Sequence, residues 1–342
     1  MQNKKIQTLL QLINHYPSPH NGQPIQLKQV SDGHFELSFE RSRGLQATDI
    51  SFLFSYVSMG VFAEHLRLAA RALGYDATVE TALPKEHALR GEGPIMFARV
   101  SFVEDAFAPD PALQATLERR QTSRLKYTKP PTEAAVQDLI SIASTAQMNL
   151  VALNEAQTQQ AIWLNQRAVF DDLFDEPVRQ ELDSWLRYSK REKELKRDGL
   201  SYDCMQINGA ALKYVVHHPG LLRVPGISSV LKQYYLRTMK DSSTVLYMLA
   251  PFKTEAQSYA IGEVVMQVWK RATELGYSLH PFGTIMSNAD AHKDFIQLTG
   301  VTNEDRATNY LVFIFRLGVS KPAVQSLRIP YEKHLLMKKE NI

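Results

Sequence analysis

The chain has 342 residues, 44% hydrophobic and 22% charged, which is the balance of an ordinary globular protein of one or two domains, and no apolar run could span a membrane. The formal net charge of +3 is too small to indicate a nucleic-acid-binding protein, although it suits an anionic cofactor, so we expect neither nucleic acid nor a membrane as partner. Cys204 is the single cysteine, which excludes an internal disulfide and favours a reducing, cytoplasmic location.

The first elements are a short helix, a proline-rich loop and a hairpin. Apolar residues recur at helical spacing over residues 4–14. Residues 16–24 (YPSPHNGQP), here called the proline loop, contain three prolines and a glycine and cannot continue a helix or a central strand. Residues 25–39 alternate as strands do and are broken by a turn at Asp32-Gly33.

The next stretch predicts a buried helix followed by a buried strand. Residues 49–73 are apolar nearly all round, and Gly74 is placed to end that helix. Residues 94–103 (PIMFARVSFV) predict a strand, and residues 104–118 an acidic linker.

The second half opens with a basic run at 119–127 and is mostly helical in its middle. The elements expected there are a helix at 133–143, a largely helical insert at 154–245, a strand at 244–250, a helix at 256–275, a strand at 310–317 and a basic tail at 331–342.

The two long helices resemble each other at a constant offset of 202 residues. Each helix is followed by an apolar strand. The identical pairs are Gly60 with Gly262, Ala70 with Ala272, Leu73 with Leu275, Gly74 with Gly276 and Tyr75 with Tyr277. Two buried, capped helices could agree by coincidence, but the matching context predicts two related modules in one chain.

The proline loop resembles the P-S-x-x-N-x-Q-P loop of the FMN-binding nitroreductase superfamily, which packs on the flavin. The matching residues, with Pro19 between them, are Pro17, Ser18, Asn21, Gln23 and Pro24. The family's usual Trp after the last proline is Ile25 here, so one aromatic wall is missing. The alternative is a plain proline-rich surface turn.

The basic run resembles the R-x-[S/T]-x-[K/R] signature of the same family. Arginine provides a bidentate fork of donors for a phosphate. The resemblance implies Arg120 on the flavin phosphate, with Gln121 beside it, Thr122 on the phosphate or ribityl chain and Arg124 at the pyrimidine end of the ring. The alternative is a solvated basic linker.

Two later segments fall in the family's order. Pro281-Phe282-Gly283 lies where the family has a turn whose backbone N–H faces the flavin, although the spacing leaves Gly283 and Thr284 as alternative donors. Arg328 follows the last strand, where the family places an arginine on the phosphate.

The halves are complementary, because residues 1–112 keep the proline loop and residues 113–342 keep the arginine signature. The resemblance therefore implies an α+β fold in which two nitroreductase-like modules form an intramolecular pseudo-dimer with one composite site, as in the tandem Acg-like branch. The molecule would be a monomer as pseudo-dimer, or a homodimer.

The implied function is an FMN-dependent oxidoreductase that passes hydride from NAD(P)H to a nitro, quinone or similar small-molecule acceptor. No side chain is expected to be catalytic, since the flavin carries the chemistry, and no histidine spacing indicates a metal site. The alternative is a non-catalytic protein that sequesters FMN, with the insert as a lid. We expect the lid's charged stretch, residues 187–198, to face water and its apolar anchors to be Trp163, Phe170, Leu173, Phe174, Trp185 and Leu186.

Overall fold

The computed structural model describes residues 4–49, 51–239, 243–301 and 304–336. Its helices are α1 (Lys4–Ile13), α2 (Leu53–Ala72), α3 (Pro111–Arg119), α4 (Glu133–Thr145), α5 (Glu155–Asp171), α6 (Glu176–Trp185), α7 (Lys190–Lys196), α8 (Gly209–His217), α9 (Pro225–Met239), α10 (Glu255–Glu274), α11 (Gly283–Ser287), α12 (Ala289–Thr299) and α13 (Tyr331–His334). Its strands are β1 (Ile25–Ser31), β2 (His34–Glu40), β3 (Asp76–Thr81), β4 (Pro94–Val103), β5 (Tyr127–Lys129), β6 (Asn149–Ala152), β7 (Leu186–Arg187), β8 (Leu200–Ser201), β9 (Thr244–Ala250), β10 (Ser278–Pro281), β11 (Tyr310–Ser320) and β12 (Leu335–Leu336). The architecture is α+β, as the sequence predicted.

The first sheet has the strand order β12-β1-β2-β4-β3. Strands β1 and β2 form the predicted hairpin, with Ile25 opposite Phe39. Its turn contains Gly33 at a φ of +71°, a conformation that favours glycine. Strand β12 adds to this sheet in parallel, with Leu335 beside Leu27.

The second sheet has the order β10-β11-β9-β6, and β5 pairs with β11 outside that path. All of its pairings are antiparallel. The central strands β9 and β11 are almost entirely buried, because helices or other strands cover both of their faces.

Helices α2 and α10 cross in the middle of the molecule through glycine contacts. A Cβ on Gly60 would lie 1.9 Å from the carbonyl oxygen of Tyr259, and a Cβ on Gly262 would lie 2.1 Å from that of Val57. Val57 and Tyr259 are 202 residues apart, as the glycines are, so the contact is reciprocal. One large hydrophobic core includes residues of both helices and both sheets, and a second core packs against β9 and β11 of the second sheet.

Two expectations about the first half were wrong. Residues 104–118 are not all linker, because helix α3 occupies most of their second half. The carboxylate of Asp110 caps this helix by accepting from the backbone N–H groups of Ala112 and Leu113, and Pro111 occupies its first turn. Strand β3 was missed because it pairs only with β4 at the sheet edge and alternates between exposed and half-buried residues.

The expected basic tail at 331–342 begins with two short elements. Tyr331–His334 is helical and Leu335–Leu336 pairs with β1, so residues 335–336 belong to the first sheet. Residues 337–342 lie outside the described residues. No described helix is both long enough and apolar enough to cross a membrane.

The insert is helical, as predicted, and comprises α5 to α9 with the short pair β7 and β8. It has a small apolar core of its own, formed by Leu173, Leu186, Leu200, Val216 and Leu222.

Candidate functional site

A cavity of about 480 Å³ lies between the proline loop, the second sheet and the insert. Its volume is within the range of about 300–1,000 Å³ typical of ligand and cofactor sites. The sequence-predicted residues that line it are Pro17, Ser18, Pro19, Asn21, Arg120, Gln121, Thr122, Arg124, Pro281, Gly283 and Arg328. Gln23 and Phe282 are fully buried in the surrounding packing and do not line it.

The proline loop is held in an unusual backbone conformation. His20, Asn21 and Gln23 all have positive φ, at 48°, 54° and 52°. Such residues cost free energy and persist where the surroundings fix them, often beside functional sites. Here Ser18 Oγ accepts from the Gln23 N–H at 3.0 Å, and Tyr16 Oη accepts from the Ile25 N–H at 3.2 Å.

Asn21 and Gln23 fasten the loop to two distant segments. Asn21 Nδ2 donates to the carbonyl of Leu327 at 3.1 Å, and the Asn21 carbonyl accepts from the Gly199 N–H at 3.2 Å. Gln23 Nε2 donates to the carbonyl of Arg197 at 3.1 Å, while its Oε1 accepts from the Ile329 N–H at 2.9 Å. The amides therefore join the loop to the insert and to the segment containing Arg328.

Arg120 is a buried cation whose donors are only partly used. It is 7% exposed, its guanidinium carbon lies 4.9 Å from the centroid of the Trp269 ring, and Nη2 donates to the His15 carbonyl at 3.2 Å. Its Nε and Nη1 are buried and have no hydrogen-bond partner among the described residues. Burial, and next the charge of Arg328, lower the pKa of Arg120 to about 9.

Arg328 and Arg124 share this environment. Burial lowers the pKa of Arg328 to about 10, and burial also lowers the pKa of Arg124. Arg328 Nη1 donates to Asn21 Oδ1. Within the described part of the chain, none of these guanidinium groups of the cavity pairs with a carboxylate. Asp172 and Glu181 also line the cavity, but the part that contains these three guanidinium groups is positively charged and is suited to an anion.

The remaining predicted residues occupy the wall without forming strong polar contacts in the cavity. The Gln121 amide, oriented to satisfy both its groups, exchanges two hydrogen bonds of 3.0 Å with the backbone of Ala323. Thr122 pairs with Leu279 through its backbone. Pro281 ends β10 and Gly283 begins α11, so both stand at the strand-to-helix turn.

Sequence reasoning missed many of the lining residues, and three of them have side chains of chemical interest. His20 lies in the proline loop, its Nδ1 is buried without a described partner, and burial followed by the charge of Arg124 lowers its pKa to about 4. His20 was open to prediction from its place in the loop. Trp269 and Cys204 gave no local signal, because Trp269 reads as an ordinary buried residue of α10 and Cys204 as a lone cysteine.

The insert forms one side of the cavity. Residues from α5, α6, α8 and α9 line it, among them Asn165, Leu182, Val216 and Tyr235. On α6, Glu181 fixes the insert to the first half by accepting from the N–H of Ala47 at 2.7 Å and from Thr48 Oγ1 at 2.6 Å.

Some expectations about the insert require correction. Leu173, Trp185 and Leu186 are buried anchors, but Trp163 is 50% exposed. The stretch 187–198 does not simply face water: Arg187 is 3% exposed and contacts Asp198 at 2.7 Å, and Asp198 contacts Arg43 at 2.6 Å. The sequence did not reveal this buried cluster, because Arg43, the second cation on Asp198, lies far away along the chain.

No family model matches the chain, and no curated protein matches its sequence. Among solved structures, the chain is similar to the FMN-dependent nitroreductase NfnB from Mycobacterium smegmatis in complex with NADPH, with a TM-score of 0.41 at 15% identity over 64% of this chain and 93% of that one. A BluB-like flavoprotein from Clostridium difficile 630 gives 0.37 at 12% identity, over 65% and 96%. A nitroreductase-like family protein from Bacillus cereus gives 0.35 at 16%, over 66% and 95%.

Proposed function

We propose that the chain is a nitroreductase-like flavoprotein that binds FMN in the cavity and transfers hydride from NAD(P)H to a small-molecule acceptor. The observation that carries the proposal is Arg120, a buried cation whose Nε and Nη1 have no partner and which meets no carboxylate among the residues that the structure describes. Leaving such a group unpaired costs free energy, which a bound phosphate would recover through charge-assisted hydrogen bonds.

The residues present fit the two ends of FMN. The charge of Arg328 lowers the pKa of Arg120, and both side chains line the cavity, so together they would hold the phosphate, with Thr122 beside them. The charge of Arg124 is affected by Cys204 first and then by Tyr235 and Arg316, and neither Arg120 nor Arg328 is among these groups, which supports a separate role at the pyrimidine end of the ring. Bound FMN would supply the hydride chemistry, while the chain binds it, orients it and limits the access of water.

The proline loop and the β10–α11 turn would form the walls around the ring. Pro17, Ser18 and Pro19 present a stiff surface, since the hydrogen bonds of the loop fix its backbone. Gly283 and Thr284 both line the cavity at the start of α11, so either N–H could meet the ring edge. Asn21 and Gln23 would position the loop through the segments they bind.

We also propose that residues 1–112 and 113–342 are two related modules, with the insert added to the second. The reciprocal glycine contacts of α2 and α10 support a pseudo-two-fold axis between them. Each half contributes a different part of the cavity, so we expect one FMN per chain rather than two.

A second candidate function is supported by the insert, which lines the cavity and is fixed to Ala47 and Thr48 by Glu181. A closed insert would exclude nicotinamide and acceptor, and the protein would then hold FMN without turnover. In that case Trp185→Ala, which removes a buried anchor of the insert, should speed reduction of bound FMN by NADPH.

The proposal is tested by the absorption spectrum of the purified protein. A flavin spectrum at about one FMN per chain is expected; colourless protein that does not take up FMN refutes the proposal, and two FMN per chain refutes the single composite site. Turnover with NADPH and a nitroaromatic acceptor then separates the two functions, because only the oxidoreductase reduces the acceptor at a steady rate.

A further inference from the structure

The outer surface of α8 and α9 combines exposed apolar side chains with positive charge. Five large apolar residues lie at least 41% exposed within this short stretch, and they are Tyr214, Val224, Ile227, Val230 and Tyr234. Monomeric proteins rarely leave such a group uncovered unless it binds something. We call these residues, with Lys213, Arg223, Lys232 and Arg237, the α8–α9 surface.

The spacing on α9 makes the apolar residues a stripe rather than a scatter. Ile227, Val230 and Tyr234 follow each other at intervals of three and four residues, so they lie on one face of the helix. Arg237 continues the same face toward the end of the helix. Ser228 is buried and marks the side on which α9 packs against the protein.

The charge of this surface has one sign. Residues 204–239 contain no Asp or Glu, whereas all four Lys and Arg residues among them are exposed. In the described part of the chain, His217 is the one side chain of this stretch that meets a carboxylate, that of Asp183 at 3.1 Å. An uncompensated cationic rim around an apolar stripe is complementary to an anionic surface that is apolar beneath.

We propose that the α8–α9 surface docks on an anionic lipid bilayer, with the stripe of α9 in the headgroup region and the Lys and Arg side chains on lipid phosphates and carboxylates. Tyrosines suit this depth, because the ring is apolar and the hydroxyl is polar. A nucleic acid would neutralise the cations but would leave Ile227 and Val230 exposed to water. The docking is peripheral and independent of the cofactor; it requires no spanning helix.

Docking would place lipid beside the cavity wall. Val215, Val216 and Leu231 belong to the same two helices and line the cavity from the inside, and Tyr234 belongs to both surfaces. Its hydroxyl donates to the Gln206 carbonyl at 2.5 Å, which fixes the ring at the boundary.

The test is sedimentation of the full-length protein with vesicles of phosphatidylcholine alone or with about one-third phosphatidylserine. Binding is expected only to the anionic vesicles, and it should weaken as salt is added. Lys232→Gln with Arg237→Gln should lower the partition coefficient about fivefold for each charge removed. Ile227→Ser with Val230→Ser should lower it about tenfold.

Matched controls change exposed residues elsewhere. Val103→Ser with Leu195→Ser removes two side chains that are 57% and 78% exposed, and Arg99→Gln removes an exposed cation; neither should change binding. Circular dichroism and the Tm establish that each variant is folded.

Three results would overturn the proposal. They are wild-type protein that stays in the supernatant at low salt, equal binding to neutral and anionic vesicles, and equal losses in the α8–α9 variants and the controls. A different result would assign the surface to a second copy of the chain. In that case the wild type would self-associate and not bind vesicles, and the double variant Ile227→Ser with Val230→Ser would not self-associate.

Discussion

Replacing Arg120 with methionine should raise the free energy of unfolding of the FMN-free protein and weaken its binding of FMN. Burial lowers the pKa of Arg120 from the ordinary 12.5 to about 9, so the charged side chain destabilises the fold at every pH below about 9. That difference corresponds to about 5 kcal/mol between the charged and neutral forms. Contact with Trp269 and structural relaxation offset part of it, and Met keeps much of the packing volume. We expect FMN-free Arg120→Met to gain about 1–4 kcal/mol of stability at pH 7.

FMN binding should change in the opposite direction. Arg120 has two free donors, and loss of charged hydrogen bonds weakens binding by about 1.5–3 kcal/mol, or about 10–150-fold in Kd. Urea unfolding of FMN-free protein and fluorescence titration with FMN measure the two effects. Arg119→Met is the control, because Arg119 is the exposed neighbour on the same segment and should change neither quantity. If Arg120→Met loses stability and keeps its affinity for FMN, Arg120 is a structural residue and the phosphate site is refuted.

Three further predictions concern the fold and the insert. Gly262→Ala should lower the free energy of unfolding in urea by at least about 2 kcal/mol, because its Cβ would strike the carbonyl of the crossing helix, whereas Gly220→Ala has open space and should be neutral. Burial raises the pKa of Asp49 to about 6, so its ionisation should cost about 3 kcal/mol of stability as pH rises from about 4 to about 6; in urea unfolding over that range the wild type should lose about that much more than Asp49→Asn does. Glu181→Gln should speed FMN release about tenfold in stopped-flow fluorescence, whereas the exposed Glu176→Gln should not; equal rates would refute the fastening of the insert by α6.

Elements with strong local signals were predictable from the sequence. The hairpin of β1 and β2 and the strand β4 were placed to within a residue or so, because alternation and the Asp32-Gly33 turn are local features. Strand β3 was missed because its alternation is weak: Ala77 and Val79 are its only apolar residues, and both are half-exposed at the sheet edge. Helix α3 had a detectable signal in Asp110-Pro111, but the surrounding alanines and prolines looked like linker.

The site was predictable where residues follow one another in the chain. The proline loop and the Arg120 segment were recognised as contiguous patterns, and both line the cavity. The positive φ of His20 and the stacking of Arg120 on Trp269 depend on tertiary contacts and could not be predicted. For the same reason Arg187 looked like a solvent-exposed charge, although the fold buries it against Asp198. The binding of FMN by these residues stays a prediction.

The crossing of α2 and α10 within one chain makes the cavity insensitive to dilution. When two separate subunits form a site, its population falls by mass action as the protein is diluted. Here the proline loop and Arg120 are linked covalently, so each half meets the other at an effective concentration set by the chain and not by the amount of protein in solution. A single molecule far from any copy of itself therefore retains both the proline loop and Arg120 in the wall of the cavity.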